Sequence, residues 1–388
     1  MTRTKTAALL AILLVLALLV AGCSGTPAAS SGAADSSAAG SQAAEASSAP
    51  SAAETASADD SAAGKTFKVG FAQKTLDNPY FKALATAIET ECKAKGWEVT
   101  VLDGKNTIDG EIKNIETFVA QKMDLIFLDT VDPSACVAAV NAADAAGIPV
   151  IGVDSGIDEG ANAVTVVYSD NLQNGKKVGN YIVETMGDTP IESVLISGAK
   201  GNPVGKERRT GLFCGILEKR LGLTEEEAWK QAEEFDQQLT DNGKATNEQA
   251  KFSVLGQGWG GWTAEEGLSQ TEDLLTANPN INVLLGENDD MLIGGMTAIE
   301  NAGKTGNISI FAAADGQKEA LKLIQDGTAY KATGENSPTK IAALAVKIAN
   351  EILVEGKDPK SYEAVTKTEA NCINASNVAD FYDPDSLF

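Results

Sequence analysis

Lys68-Val69-Gly70-Phe71-Ala72 is a short apolar run, and Asn78-Pro79-Tyr80-Phe81 opens a longer stretch that reaches Lys95-Gly96. The first reads as a buried strand. The second carries Ala83, Leu84, Ala87 and Ile88 on one helical face and is stopped by Gly96, so it reads as an amphipathic helix. Glu98 to Leu102 returns as a strand. Apolar strands joined by amphipathic helices predict a parallel sheet covered on both faces. The alternation continues with a helix over 109–121, a strand over 125–128, a helix over 133–146 with Pro133 in its first turn, and a strand over 149–153. It then restarts. Strands are expected at 164–167, 193–196, 252–255, 282–285 and 308–312, with helices at 172–186, 205–221, 262–277, 289–302, 318–325 and 338–354.

The chain has 388 residues, 31 Lys and Arg against 54 Asp and Glu, a formal charge of −23, and no histidine. The missing imidazole excludes Ser–His–Asp and Cys–His catalysis and any His-containing zinc site. The acidic balance argues against nucleic acid as a partner. The folded part, about 320 residues, suits two domains better than one. Between 224 and 251 lies an insert with Glu225-Glu226-Glu227 and Glu233-Glu234. It reads as a solvated surface helix and loop.

Residues 1–22 place Arg3 and Lys5 ahead of an apolar run from Ala7 to Val20. That run is shorter than the roughly 18 residues a membrane span needs, and the pattern is that of a signal peptide. Leu19-Val20-Ala21-Gly22-Cys23 resembles the lipobox of bacterial lipoproteins. The resemblance implies a diacylated Cys23 and an exported protein tethered to the outer face of the cell membrane. The rest of 23–64 is nearly all Ala, Ser and Gly with scattered acids, and is expected to be a disordered linker. A flexible coil of that length reaches roughly 30–40 Å. Cys92, Cys136, Cys214 and Cys372 remain, and export permits one or two disulfides whose pairing the sequence leaves open.

In open parallel sheets, ligands bind beyond the carboxyl ends of the strands. Asn78 and Tyr80 follow the first strand, Asp129 the third and Asp154 the fourth; Trp262, Asn288 and Asp315 follow strands in the second half. Lys74-Thr75-Leu76-Asp77-Asn78-Pro79-Tyr80-Phe81 resembles the Asn-Pro-aromatic-aromatic segment of the ribose/galactose-type periplasmic binding proteins, whose fold is shared with LacI-type sugar domains. Leu128 to Ala135, Gly147 to Asp154, Tyr168-Ser169-Asp170-Asn171, Glu207-Arg208-Arg209-Thr210-Gly211, Glu287 to Met291 and Ala314-Asp315-Gly316 continue the resemblance in order. It covers residues 66–366.

The family implies an α/β protein of two doubly wound parallel-sheet lobes joined by a three-segment hinge, the type 1 architecture. The expected boundaries are 66–169 plus 337–366 for the first lobe and 170–336 plus 367–388 for the second. The implied function is that of a substrate-binding lipoprotein. It would enclose a small neutral sugar or polyol and deliver it to an ABC permease, as a monomer and without a cofactor or covalent chemistry. A sensor module for a membrane receptor kinase would share this ligand physics. A carboxylate-based glycosidase using Asp129 and Asp154 is the enzymatic alternative.

The carried-over ligand site has Tyr80 and Phe81 as one aromatic wall and Trp262 as the other, with Trp259 competing for that place. Asn78, Asp129, Asp154 and Ser155 would contact ligand from the first lobe. Arg208, Asn288, Asp315 and Asn336 would do so from the second lobe and hinge, with Glu335 competing for the place of Asn336. Two departures stand out. Ser155 occupies the position where the ribose pattern has Arg, and Asp129 a position often held by Asn. An added acid beside a lost cation predicts a more anionic pocket, and a cationic or amine-bearing ligand enters consideration.

Overall fold

The computed structural model describes residues 66–388. The expected signal peptide, the lipidated Cys23 and the linker lie outside these residues. Lobe one begins with β1 (Lys68–Gln73), α1 (Pro79–Ala94), β2 (Glu98–Asp103), α2 (Ile108–Ala120), β3 (Leu125–Leu128), α3 (Val137–Ala145), β4 (Val150–Val153) and β5 (Thr165–Ser169). The chain crosses to lobe two with α4 (Asn171–Met186), β6 (Ile191–Ser197), α5 (Pro203–Leu221), α6 (Glu225–Asn242), β7 (Ala245–Asn247) and β8 (Phe252–Trp259). It continues through α7 (Ala264–Ala277), β9 (Val283–Gly286), α8 (Asp289–Asn301), β10 (Ser309–Asp315), α9 (Lys318–Gln325) and β11 (Tyr330–Glu335). It recrosses with α10 (Pro338–Leu353) and β12 (Val365–Thr368), and returns with β13 (Cys372–Asn374).

The six-stranded sheet of lobe one has the order β12-β5-β4-β3-β1-β2, with every pairing parallel. Val69, Phe71, Leu125 and Phe127 face α1 and α10, while Ile126, Leu128 and Val150 face α2 and α3. Residues alternate faces along a strand, so strands buried on both sides must be apolar throughout. The seven-stranded sheet of lobe two, β13-β11-β10-β9-β6-β8-β7, is parallel except at its two edges, where β7 and β13 pair antiparallel. Its faces are covered by α4, α5 and α6 on one side and by α7, α8 and α9 on the other.

Several expectations change. The helix expected from Pro133 starts at Val137, because the Asp132 carboxylate accepts from the amides of Ser134 and Ala135 and holds those residues in a turn. The insert is not merely a solvated helix and loop. Ala228, Ala232, Phe235 and Leu239 of α6 are buried, and the Phe235 ring stacks on Phe252 with centroids 4.7 Å apart. A capping box at Thr224 and Glu227 starts α6, and β7 then covers the sheet edge. The short strands β11, β12 and β13 were not expected from periodicity. Lys367 and Thr368 still pair with Tyr168 and Ser169 of lobe one, so the final crossing falls after Thr368 rather than after 366. The four described cysteines are free thiols rather than disulfides. Cys92 and Cys136 lie in cores on opposite faces of the lobe-one sheet, while Cys214 and Cys372 belong to lobe two.

Candidate functional site

The three crossings are tied to one another by side chains. Asn174 of α4 donates to the Glu335 carbonyl at 2.6 Å and accepts from the Asn371 amide at 2.9 Å. Asn371 also donates to the Glu335 carboxylate at 2.8 Å, and Lys340 pairs with that carboxylate at 2.7 Å. Glu335 is thereby occupied within the hinge. Its neighbour Asn336 points elsewhere: its Oδ1 accepts from Ser169 Oγ at 2.7 Å and its Nδ2 donates to Asp315 Oδ1 at 3.3 Å. Of the two competing residues, Asn336 is the one that joins the polar groups at the strand ends.

On the lobe-one side, the ends of β1, β3 and β4 bring together Lys74, Asp129, Asp154 and Ser155. Lys74 Nζ lies 3.3 Å from Asp129 Oδ1 and 3.7 Å from Asp154 Oδ2, and donates to Ser155 Oγ at 2.7 Å. It also sits 4.3 Å from the centre of the Phe81 ring. Lys74 was not among the expected site residues. It supplies a cation beside Ser155, so the expected loss of positive charge there is corrected. The available signal was its place directly after β1, at the same sheet edge as Asp129 and Asp154. The Asp129 carboxyl is fully buried, and burial pushes its pKa up to about 7; Lys74 opposes this rise and Asp154 adds to it. Burial works against the Lys74 ammonium, but the Asp129 and Asp154 carboxylates outweigh it and raise its pKa.

Tyr80 bridges the two sides. Its hydroxyl donates to Asp154 Oδ1 at 2.6 Å and lies 3.2 Å from Asn336 Oδ1. Asp154 achieves this geometry with a left-handed backbone (φ 62°), as does Trp262 (φ 66°). Such conformations cost a non-glycine residue energy, and both fall at expected site positions.

On the lobe-two side, Arg208 near the start of α5 has three partners: Asn171 Oδ1 at 3.0 Å, the Glu287 carbonyl at 3.2 Å and Asp315 Oδ1 at 2.8 Å. Burial raises the Asp315 pKa, and Arg208 opposes that rise. The close approach of α4 to α5 sets this geometry, since a Cβ on Gly175 would stand 2.3 Å from the Arg208 carbonyl. Arg209, the next residue, turns away to Glu287 and Asp236 and anchors α6 instead. The Trp262 ring lies 5.8 Å from the Arg208 guanidinium and fills the space that a side chain at Gly198 would take. Trp259 lies near Lys200 instead. Asn78 and Asn288 are helix caps, each Oδ1 accepting a backbone amide of the following turn, from Tyr80 and Met291. Sequence reasoning also missed Ser169 and Asn171, which reach the network only through hinge packing.

The contacts form a continuous path, Asp129–Lys74–Asp154–Tyr80–Asn336–Asp315–Arg208, that starts in lobe one, passes the hinge and ends in lobe two against Trp262. Chemically it offers carboxylates, an amide and two cations able to share hydrogen bonds with hydroxyl groups, flanked by aromatic faces. Among the described residues, no group of three or more Cys, Asp or Glu side chains is arranged to hold a metal ion.

Two α/β lobes joined by three crossings, with buried polar groups converging at the strand ends, define a bilobal solute-binding architecture. Residues 69–358 match the periplasmic binding protein domain family, and the chain belongs to that family, in its ribose/galactose-type branch. The ribose import binding protein RbsB of Bacillus subtilis is 30% identical over 305 residues, covering 79% of this chain and 88% of that protein. The D-allose-binding periplasmic protein of Escherichia coli is 26% identical over 292 residues, covering 73% and 84%. The fold is shared with an ABC transporter solute-binding protein from Mycobacterium smegmatis with bound glycerol, at TM-score 0.68, 24% identity and coverage of 83% and 99%. It is also shared with one from Actinobacillus succinogenes with bound D-allose, at TM-score 0.68, 23% identity and coverage of 82% and 100%. These relatives are transport binding proteins rather than enzymes.

Proposed function

We propose that this protein is the substrate-binding lipoprotein of an ABC importer. It encloses a small neutral sugar or polyol between its lobes, contacts it through Lys74, Tyr80, Asp129, Asp154, Arg208, Trp262, Asp315 and Asn336, and delivers it to a membrane permease. Lipid on Cys23 holds it at the outer face of the membrane. The observation that carries the reading is the path of paired polar groups from Asp129 to Arg208 through Tyr80 and Asn336. Its three carboxylates share two cations: Lys74 faces both Asp129 and Asp154, and Arg208 faces Asp315. A neutral polyhydroxyl ligand can exchange hydrogen bonds with these groups without adding a charge, whereas an anionic ligand would add one beside a surplus carboxylate. Lys74, itself a cation beside both lobe-one acids, weighs against the amine-bearing ligand that the sequence left open. Ligand binding closes the lobes by hinge motion, and the closed form is the one the permease receives.

The test is a panel of D-ribose, D-allose, D-galactose, myo-inositol and glycerol, read by tryptophan fluorescence and melting temperature. One member should raise the melting temperature and change the fluorescence, and Asp154→Ala should abolish both responses. If none does so, while an amine or an anion does, the neutral-ligand assignment is wrong.

A further inference from the structure

The final residues lie beyond the family match, which ends at 358. Phe381 and Tyr382 pack against the lobe-two core beside α9, and Lys340 Nζ stands 5.5 Å from the Phe381 ring. The chain then runs toward lobe one. Lys318, at the start of α9, donates to the Ser386 carbonyl at 2.7 Å. Ser386 Oγ donates to the Phe388 carbonyl at 2.6 Å and accepts from the Phe388 amide at 3.2 Å, which curls the end of the chain. The Phe388 ring packs against the lobe-one core and meets Tyr80 edge to face, with centroids 5.1 Å apart. A cavity of about 370 Å³ is lined by Thr86 and Thr90 of α1, by Asp315 and Lys318 of lobe two, and by Phe388.

We propose that residues 381–388 are a strap tying lobe two to lobe one, and that Phe388 is a positioning residue for Tyr80. The strap is rooted in one hydrophobic core and ends on the other. Its last ring rests on the side chain whose hydroxyl joins Asp154 to Asn336, so it holds one wall of the interlobe network against the hinge. Edge-to-face packing also fixes the Tyr80 ring orientation, which its hydrogen bonds alone leave free to tilt. The strap acts in the absence of any ligand, so the proposal stands apart from the identity of the solute.

Hydrogen exchange followed by mass spectrometry on the full chain, without ligand, tests it. Phe388→Ala, and separately deletion of residues 383–388, should speed exchange about two- to tenfold at 82–88 of α1 and at the 335–337 crossing. Phe388→Tyr, which keeps the ring, should restore most of the protection at the hinge. Faster exchange confined to 381–388 would overturn the proposal, as would a uniform rise over both lobes in Phe388→Ala. If the deletion unfolds the protein, the Phe388→Ala and Phe388→Tyr pair decides.

Discussion

On the lobe-two side of the network Arg208 is clamped by Asn171, the Glu287 carbonyl and Asp315, behind Trp262 and on a helix whose next residue is itself locked to Glu287 and Asp236. On the lobe-one side Lys74 sits on a loop among Asp129, Asp154 and Ser155, with 17% of its side chain exposed. A guanidinium is a planar fork that fits a fixed set of acceptors, while an ammonium is a point charge on a flexible stem that can shift among neighbours. The contrast teaches that one wall is pre-organised and the other adjustable. A ligand would meet a rigid half-site and a half-site able to redistribute charge and protons around it.

Removing the rigid side should have the largest effect. Arg208→Ala leaves Asp315 buried without its cation and should cost about 3–5 kcal/mol of stability, read by urea unfolding. A loss below about 1 kcal/mol would show that Arg208 is no more fixed than Lys74 and would erase the contrast. Lys74→Met keeps most of the volume and should cost about 1–3 kcal/mol, since Asp154 retains Tyr80 and Asp129 can take up a proton. An equal loss in the two variants would mean that the lobe-one wall is as rigid as the other. Trp262→Ala should lower affinity for the panel ligand by about 1–3 kcal/mol, measured by calorimetry, with little change in fold.

The adjustable side also predicts a pH dependence. Burial pushes Asp129 up to about 7, above the roughly 3.9 expected in the unfolded chain. Between these values the folded state holds a proton that the unfolded state has lost. This contribution to stability is full below about pH 4 and is lost as pH rises through about 7. Asp129→Asn should flatten the fall of melting temperature over that window, leaving the parts due to Asp289, which burial pushes up to about 6, and to Asp315, Glu111 and Glu207, which burial also raises. An unchanged slope would place the adjustable proton elsewhere.

Much of the fold was legible because its signals are local. Val69-Gly70-Phe71-Ala72 and Leu125-Ile126-Phe127-Leu128 are apolar on both faces, and the helix between Pro79 and Ala94 buries residues at helical spacing. The short strands β11, β12 and β13 escaped because their pairing partners, not their own periodicity, make them strands. The buried face of the insert escapes for a similar reason. Its glutamates are solvated, but Phe235 is buried by Phe213 and Phe252 from distant positions. In the site, Asp129, Asp154, Arg208, Asp315 and Asn336 were named from strand ends and family motifs. Lys74 escapes because a lysine after a strand is ordinarily solvated, and nothing adjacent in sequence reveals its partners.

The sequence by itself determined the alternation of strands and helices and the candidate residues at their carboxyl ends, because hydrophobic periodicity and capping act over a few residues. Only the tertiary structure decided which charges meet. Lys74 reaches Asp129 and Asp154, Tyr80 reaches Asn336, and Phe388 reaches Tyr80 across the whole length of the folded chain. Those encounters follow from strand order and hinge crossings, and burial then gives them their electrostatic weight.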